Sequence, residues 1–132
     1  MLAVTAIGVG MPAERVMAED PVRVELLADA VKVAPGDVLR VGVRLEIDEG
    51  WYVYGEDPGI TGLPTEVDWE LPDGVSAGDL HYPEPDRFEF EGEEAWGYTG
   101  EVLLTATLTL PDELGETVTI GATVSWLACA DL

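Results

Sequence analysis

The chain has 132 residues, 47% of them hydrophobic, enough for one domain with a buried core. Six Lys and Arg stand against 27 Asp and Glu, a formal charge of −21, which argues against nucleic acid and anionic membrane surfaces as partners, because both are bound through basic surface. The single cysteine excludes an internal disulfide and a cysteine-based zinc site within these residues, and no apolar run approaches the roughly 18 residues that span a bilayer.

Residues 1–13 are uncharged and mostly small or apolar, and Val16-Met17-Ala18 before Glu19 suits a small-x-small cleavage site. Residues 1–19 read as an export signal without its basic start, with a disordered or strand-adding tail as the alternative. The folded domain is expected over 20–132. From Pro21 onward the apolar period is two. Residues 39–47, 102–110 and 118–126 each alternate apolar with polar or small side chains, and 22–28, 51–54, 67–71 and 80–82 are shorter strand candidates. Turn formers separate them: Pro35-Gly36-Asp37, Asp57-Pro58-Gly59, Pro72-Asp73-Gly74 and residues 112–115. With no helical stripe and no internal repeat, the pattern predicts an all-β fold. Its expected form is an immunoglobulin-like antiparallel β-sandwich of roughly seven to nine strands, with Trp69, Trp126, Val41, Val43, Val124 and Leu104 inside.

The acidity has two readings. Lys32 is the only lysine, so the excess of carboxylates is more than a solvated face. Self-repulsion on this scale is relieved in molar salt, where the Debye length falls to about 3 Å. A high-salt habitat is the favoured cause, and a strongly basic partner protein is the alternative. Acidic pairs occur by chance at this density, and no D-x-[DN]-x-[DN]-G calcium loop is present. No metal site, cofactor or carboxylate-pair hydrolysis is expected.

Cys129 is the first chemical candidate. Extending the last alternation puts Ala128 on the core side with Trp126 and Val124, and Cys129 on the opposite face with Ser125 and Thr123. A lone cysteine is usually a small buried apolar residue. The alternation argues against that here, although one bulge would reverse it. Asp131 and the negative field disfavour thiolate. The only histidine, His81, has no sequence relation to Cys129, so a protease-type dyad is not expected. Among the aromatics, Trp51, Trp69 and Trp126 suit the core. Phe88-Glu89-Phe90-Glu91-Gly92 follows Pro83-Glu84-Pro85 in an acidic, turn-like stretch with no strand register of its own. An aromatic stranded there covers something.

Several strings then coincide in order and spacing: Gly50-Trp51-Tyr52-Val53-Tyr54, Asp57-Pro58-Gly59, Thr61-Gly62-Leu63-Pro64-Thr65, Trp69-Glu70-Leu71-Pro72-Asp73-Gly74, Tyr98-Thr99-Gly100-Glu101-Val102-Leu103-Leu104, and Val124-Ser125-Trp126-Leu127-Ala128-Cys129-Ala130-Asp131. Together they resemble the N-terminal periplasmic domain of DsbD-type thiol:disulfide interchange proteins, over residue 22 to the end. The resemblance implies an immunoglobulin-like sandwich in the periplasm, within an inner-membrane protein and joined to the membrane only through segments outside this chain. Such a domain is a monomeric redox carrier without a cofactor. It takes electrons from a thioredoxin-like donor domain of the membrane reductase and passes them to periplasmic thioredoxin-like acceptors, disulfide isomerases and cytochrome c maturation proteins among them. By the resemblance Cys129 is the first cysteine of the redox pair, and its partner follows a few residues later, just after Leu132. Alone, this chain then carries half of the site of a protein-disulfide reductase. Phe90 corresponds to the shielding aromatic of a cap loop that includes Phe88 and Glu89. By the same resemblance Tyr52 and Tyr54 are expected to line the cysteine pocket, with Asp131 beside it. The alternative is a non-redox immunoglobulin-like docking module of a larger membrane protein.

Overall fold

The computed structural model describes residues 21–30, 32–59, 62–90, 92–115 and 117–130, with the Phe90 side chain left out. The signal-like segment 1–19 and Asp131 lie outside the described residues. Ten strands are found among those described: β1 (Val22–Ala28), β2 (Val38–Ile47), β3 (Trp51–Gly59), β4 (Glu66–Glu70), β5 (Ser76–Ala77), β6 (Asp86–Phe90), β7 (Glu93–Tyr98), β8 (Glu101–Thr109), β9 (Gly121–Ser125) and β10 (Ala128–Ala130). They form two four-stranded sheets, in the orders β1-β2-β8-β5 and β10-β3-β7-β6, and a two-stranded sheet of β4 and β9. Every pairing is antiparallel. The molecule is the all-β, immunoglobulin-like sandwich that the period-two patterning predicts.

Alternation explains how the layers close. In β2, Leu39, Val41, Val43, Leu45 and Ile47 are buried, and in β8 so are Val102, Leu104, Ala106 and Leu108. The register sets Val43 opposite Leu104 and Val41 opposite Ala106, so both inward rows meet. Val53 and Tyr98 come from the second sheet, and Val124 and Trp126 from the β9 segment, to complete one cluster with Val43, Leu45 and Leu104. Burying each such side chain contributes about 1.5–3 kcal/mol. On the opposite face of the first sheet two of the few cations pair with neighbouring acids. Arg44 meets Glu25 at 2.6 Å and Glu101 at 3.5 Å, and Arg23 meets Asp48 at 2.7 Å.

Five expectations are corrected. Phe88, Glu89 and Phe90, read as part of an acidic, turn-like stretch with no strand register, lie in β6, which pairs antiparallel with β7 and in which Asp86, Phe88 and Phe90 alternate with Arg87 and Glu89. Asp57-Pro58-Gly59 is not a free turn but the bulged end of β3, where the register with β7 shifts between Tyr54 and Gly59. The predicted strand at 80–82 is a single bridge from His81 to Thr105. The strand predicted over 118–126 starts only at Gly121 and stops at Ser125. After Trp126 and Leu127 the chain crosses from the β4 sheet to the edge of the β3 sheet. Trp69, expected inside, is half-buried because β4 pairs only with β9, whereas Trp126 and the other four predicted core residues are buried.

Candidate functional site

The site is built on β3. Within Trp51-Tyr52-Val53-Tyr54 the alternation sends Val53 into the core and Tyr52 and Tyr54 to the far face of the same sheet. A far face is normally solvated, yet Tyr52 is 8% and Tyr54 5% exposed. Two neighbours accompany this burial. From β6, Phe88 stacks on Tyr52, with ring centroids 4.7 Å apart and planes at 19°. From the segment before β4, the Thr65 hydroxyl donates to the Tyr54 carbonyl oxygen at 2.6 Å, and the Gly62 backbone lies so near the Tyr54 ring that a β-carbon there would overlap it. Gly97 permits the hairpin to sit this close, since a β-carbon at that position would strike the Val53 carbonyl oxygen.

The cysteine arrives from the other side. In β10, Cys129 pairs with Tyr52. Ala128 packs on the core cluster, so Cys129 shares the outer face with the tyrosines. This is the face that the sequence alternation assigns. The Cys129 Sγ is half-buried and lies 3.7 Å from the Tyr54 hydroxyl, which in turn is 3.5 Å from the Tyr52 hydroxyl. The two tyrosine rings meet edge to face at 5.4 Å. Burial first, and then the contacts with Tyr52 and Cys129, push the Tyr54 phenol well above its ordinary value near 10. Tyr54 thus keeps its proton wherever a thiol works, and can donate it in a hydrogen bond to sulfur.

Cys129, Tyr52, Tyr54 and Phe88 are therefore brought together. Glu89 takes the opposite parity of β6 and meets Arg87 at 3.4 Å, which also pairs with Glu94. The Phe90 side chain and Asp131 are outside the described residues; the Phe90 backbone pairs with Glu93. His81 is exposed and bridges to the first sheet. Among the described residues no three His, Cys, Asp or Glu side chains gather as metal ligands. Gly62 and Thr65 are site residues to which the sequence assigned no role. Their signal was the run Thr61-Gly62-Leu63-Pro64-Thr65, where a glycine faces a strand bearing two tyrosines.

An antiparallel sandwich that presents one thiol on a sheet edge, beside two buried tyrosines, defines a class of thiol-bearing β-domain. Residues 20–132 match the family described as thiol:disulfide interchange protein DsbD, N-terminal, and the chain belongs to that family. Among solved structures it is similar to the N-terminal periplasmic domain of ScsB from Proteus mirabilis, with a TM-score of 0.66 and 22% identity. That match covers 89% of this chain and 44% of the other, so the chain spans less than half of that neighbour, and the likeness is one of fold. No curated protein matches the chain. Among the described residues no helix is long and apolar enough to cross a membrane.

Proposed function

We propose that this chain is a periplasmic redox carrier domain in which Cys129 exchanges with thioredoxin-like partners: a donor domain of a membrane reductase, and periplasmic acceptors that include cytochrome c maturation proteins. The observation that carries the reading is the Cys129 thiol, half-buried on a sheet edge with the Tyr54 hydroxyl 3.7 Å from its sulfur. In the step toward an acceptor, the Cys129 thiolate attacks one sulfur of the acceptor disulfide. A bond forms between the two proteins, the acceptor S–S bond breaks, and its second sulfur leaves as thiolate carrying the electron pair. A second thiol of the carrier then resolves the mixed disulfide. In this reading that thiol follows Cys129 in the carrier's sequence. The Tyr54 phenol stabilises negative charge on Cys129 before attack and when it returns as leaving group. Phe88, and by the resemblance Phe90, shield the sulfur from small oxidants until a partner displaces the hairpin.

A thioredoxin-like domain with its resolving cysteine changed to serine and its remaining cysteine carried as a thionitrobenzoate mixed disulfide tests this. The reduced chain should release thionitrobenzoate and form one interprotein disulfide at Cys129, and Cys129→Ser should form none. If Cys129 reacts with free Ellman's reagent but yields no protein-linked product, the redox reading falls and a docking module takes its place.

A further inference from the structure

A second concavity shares no lining residue with the Cys129 cluster. It has a volume of about 320 Å³ and lies where the bulged end of β3 meets the segment before β6. Three aromatic side chains line it: Tyr82, Trp96 and Tyr98. Two are pinned at their polar ends, because the Tyr82 hydroxyl donates to the Thr65 carbonyl oxygen at 2.7 Å and the Tyr98 hydroxyl to that of Pro83 at 2.6 Å. Their protons are therefore committed within the fold, and Pro83 and Pro85 add further apolar wall. Glu56, Asp57 and Glu84 complete the lining, and no basic side chain is among the lining residues. None of these three carboxylates has an ion-pair partner among the described residues, although Arg87 on the neighbouring strand is taken up by Glu89 and Glu94.

We infer that this pocket binds a methylated ammonium cation of the tetramethylammonium or choline class. Aromatic faces attract a cation through their quadrupole, and the attraction is largest for a weakly hydrated cation that loses little on leaving water. The volume falls at the small end of ligand pockets, which suits a headgroup and not a polycyclic ligand. The uncompensated carboxylates supply the countercharge. They also select against zwitterions such as betaines, whose own carboxylate would be repelled. The same negative field is felt by the phenols, since Glu56 and Glu66 add to burial in raising Tyr82, and Tyr82 and Glu56 do so for Tyr98.

Backbone and indole amide shifts of the 15N-labelled chain, followed while tetramethylammonium chloride replaces sodium chloride at constant ionic strength, test the inference. Saturable shifts should centre on Glu56, Asp57, Tyr82, Trp96 and Tyr98. Affinity should fall about tenfold in Trp96→Leu, and in the exposed-site variant Glu56→Gln/Glu84→Gln, which leaves the aromatic walls intact. Choline should compete and glycine betaine should not. Shifts that never saturate, shifts spread over the acidic surface, equal affinity for n-butylammonium, or unchanged affinity in both variants would each overturn it. Cys129 chemistry plays no part in this readout, so the outcome is independent of the redox reading.

Discussion

The Tyr54 hydroxyl and the Cys129 sulfur lie 3.7 Å apart although 75 positions separate the two residues in the chain. The β3–β10 pairing makes the contact, by setting Cys129 opposite Tyr52 and therefore within reach of the next outward side chain along β3. Because Tyr54 is held protonated, it can donate to the sulfur and is not a competing anion. Tyr54→Phe should slow alkylation of Cys129 by iodoacetamide about three- to tenfold at neutral pH, through loss of one hydrogen bond to the reacting sulfur. An unchanged rate would show that the contact is packing alone.

The stack of Phe88 on Tyr52 predicts the opposite sign. Under the proposed shielding, Phe88→Ala removes cover without touching Tyr54, so alkylation should accelerate several-fold while the shape of the pH–rate profile stays the same. Phe90→Ala is expected to act in the same direction. The Phe88 change should also cost about 1 kcal/mol of stability from the lost ring contact, measurable by urea unfolding.

Tyr54, Tyr82 and Tyr98 all have raised phenol values, with burial as the leading cause in each. The native state then keeps protons that the unfolded chain releases near pH 10. Their contribution is whole below pH 10 and is lost as pH climbs from there through the native values, by at most about 1.4 kcal/mol per pH unit for each tyrosine still protonated. Urea midpoints measured at successive pH values should fall above pH 10. They should fall less steeply in Tyr54→Phe.

Gly62 has a backbone that alanine can adopt, so Gly62→Ala reports on the contact with the Tyr54 ring. Overlap with that ring should destabilise the domain by about 1–3 kcal/mol and change the rate of Cys129 alkylation. Gly78→Ala, where the new methyl would meet only the Thr107 carbonyl at an ordinary 3.5 Å, should cost nothing and serves as control.

The charge of −21 predicts a salt response. The ion pairs of Arg23 and Arg44 lie at the solvated surface, where salt would weaken them. Repulsion among 27 acids outweighs them, so the thermal midpoint should rise from low to molar sodium or potassium chloride. A flat or falling midpoint in both salts would remove the high-salt explanation of the composition.

The long strands were legible because β2 and β8 each bury one face and solvate the other, leaving an uninterrupted period of two. The β6–β7 hairpin was not, although its Asp86–Phe90 half alternates. The flanking Pro83-Glu84-Pro85 and the dense acids resemble a loop in composition, and only pairing with β3 through Gly97 makes it a sheet. The face of Cys129 was correctly legible despite a wrong premise. The last strand breaks at Trp126 and Leu127, but a break of two residues preserves parity, so Ala128 still points inward and Cys129 outward. Tyr52, Tyr54 and Phe88 are named as pocket or cap residues only through the family resemblance. The stacking of Phe88 and the closeness of Gly62 could not be read from the sequence, because both arise from segments folding over the strand and not from its own pattern.

The most direct test of the account compares two second-order rate constants for Cys129 with a common leaving group: attack on a small aryl disulfide, and attack on a thioredoxin-like cysteine carried as the same aryl mixed disulfide. If the aromatic cover opens for a partner, the protein disulfide reacts at least about tenfold faster, since docking supplies orientation and access together. The advantage should shrink in Phe88→Ala because the small reagent gains. Equal rates for both disulfides, or a slower reaction with the protein, would contradict the assignment of Cys129 as a shielded, partner-selective exchange thiol.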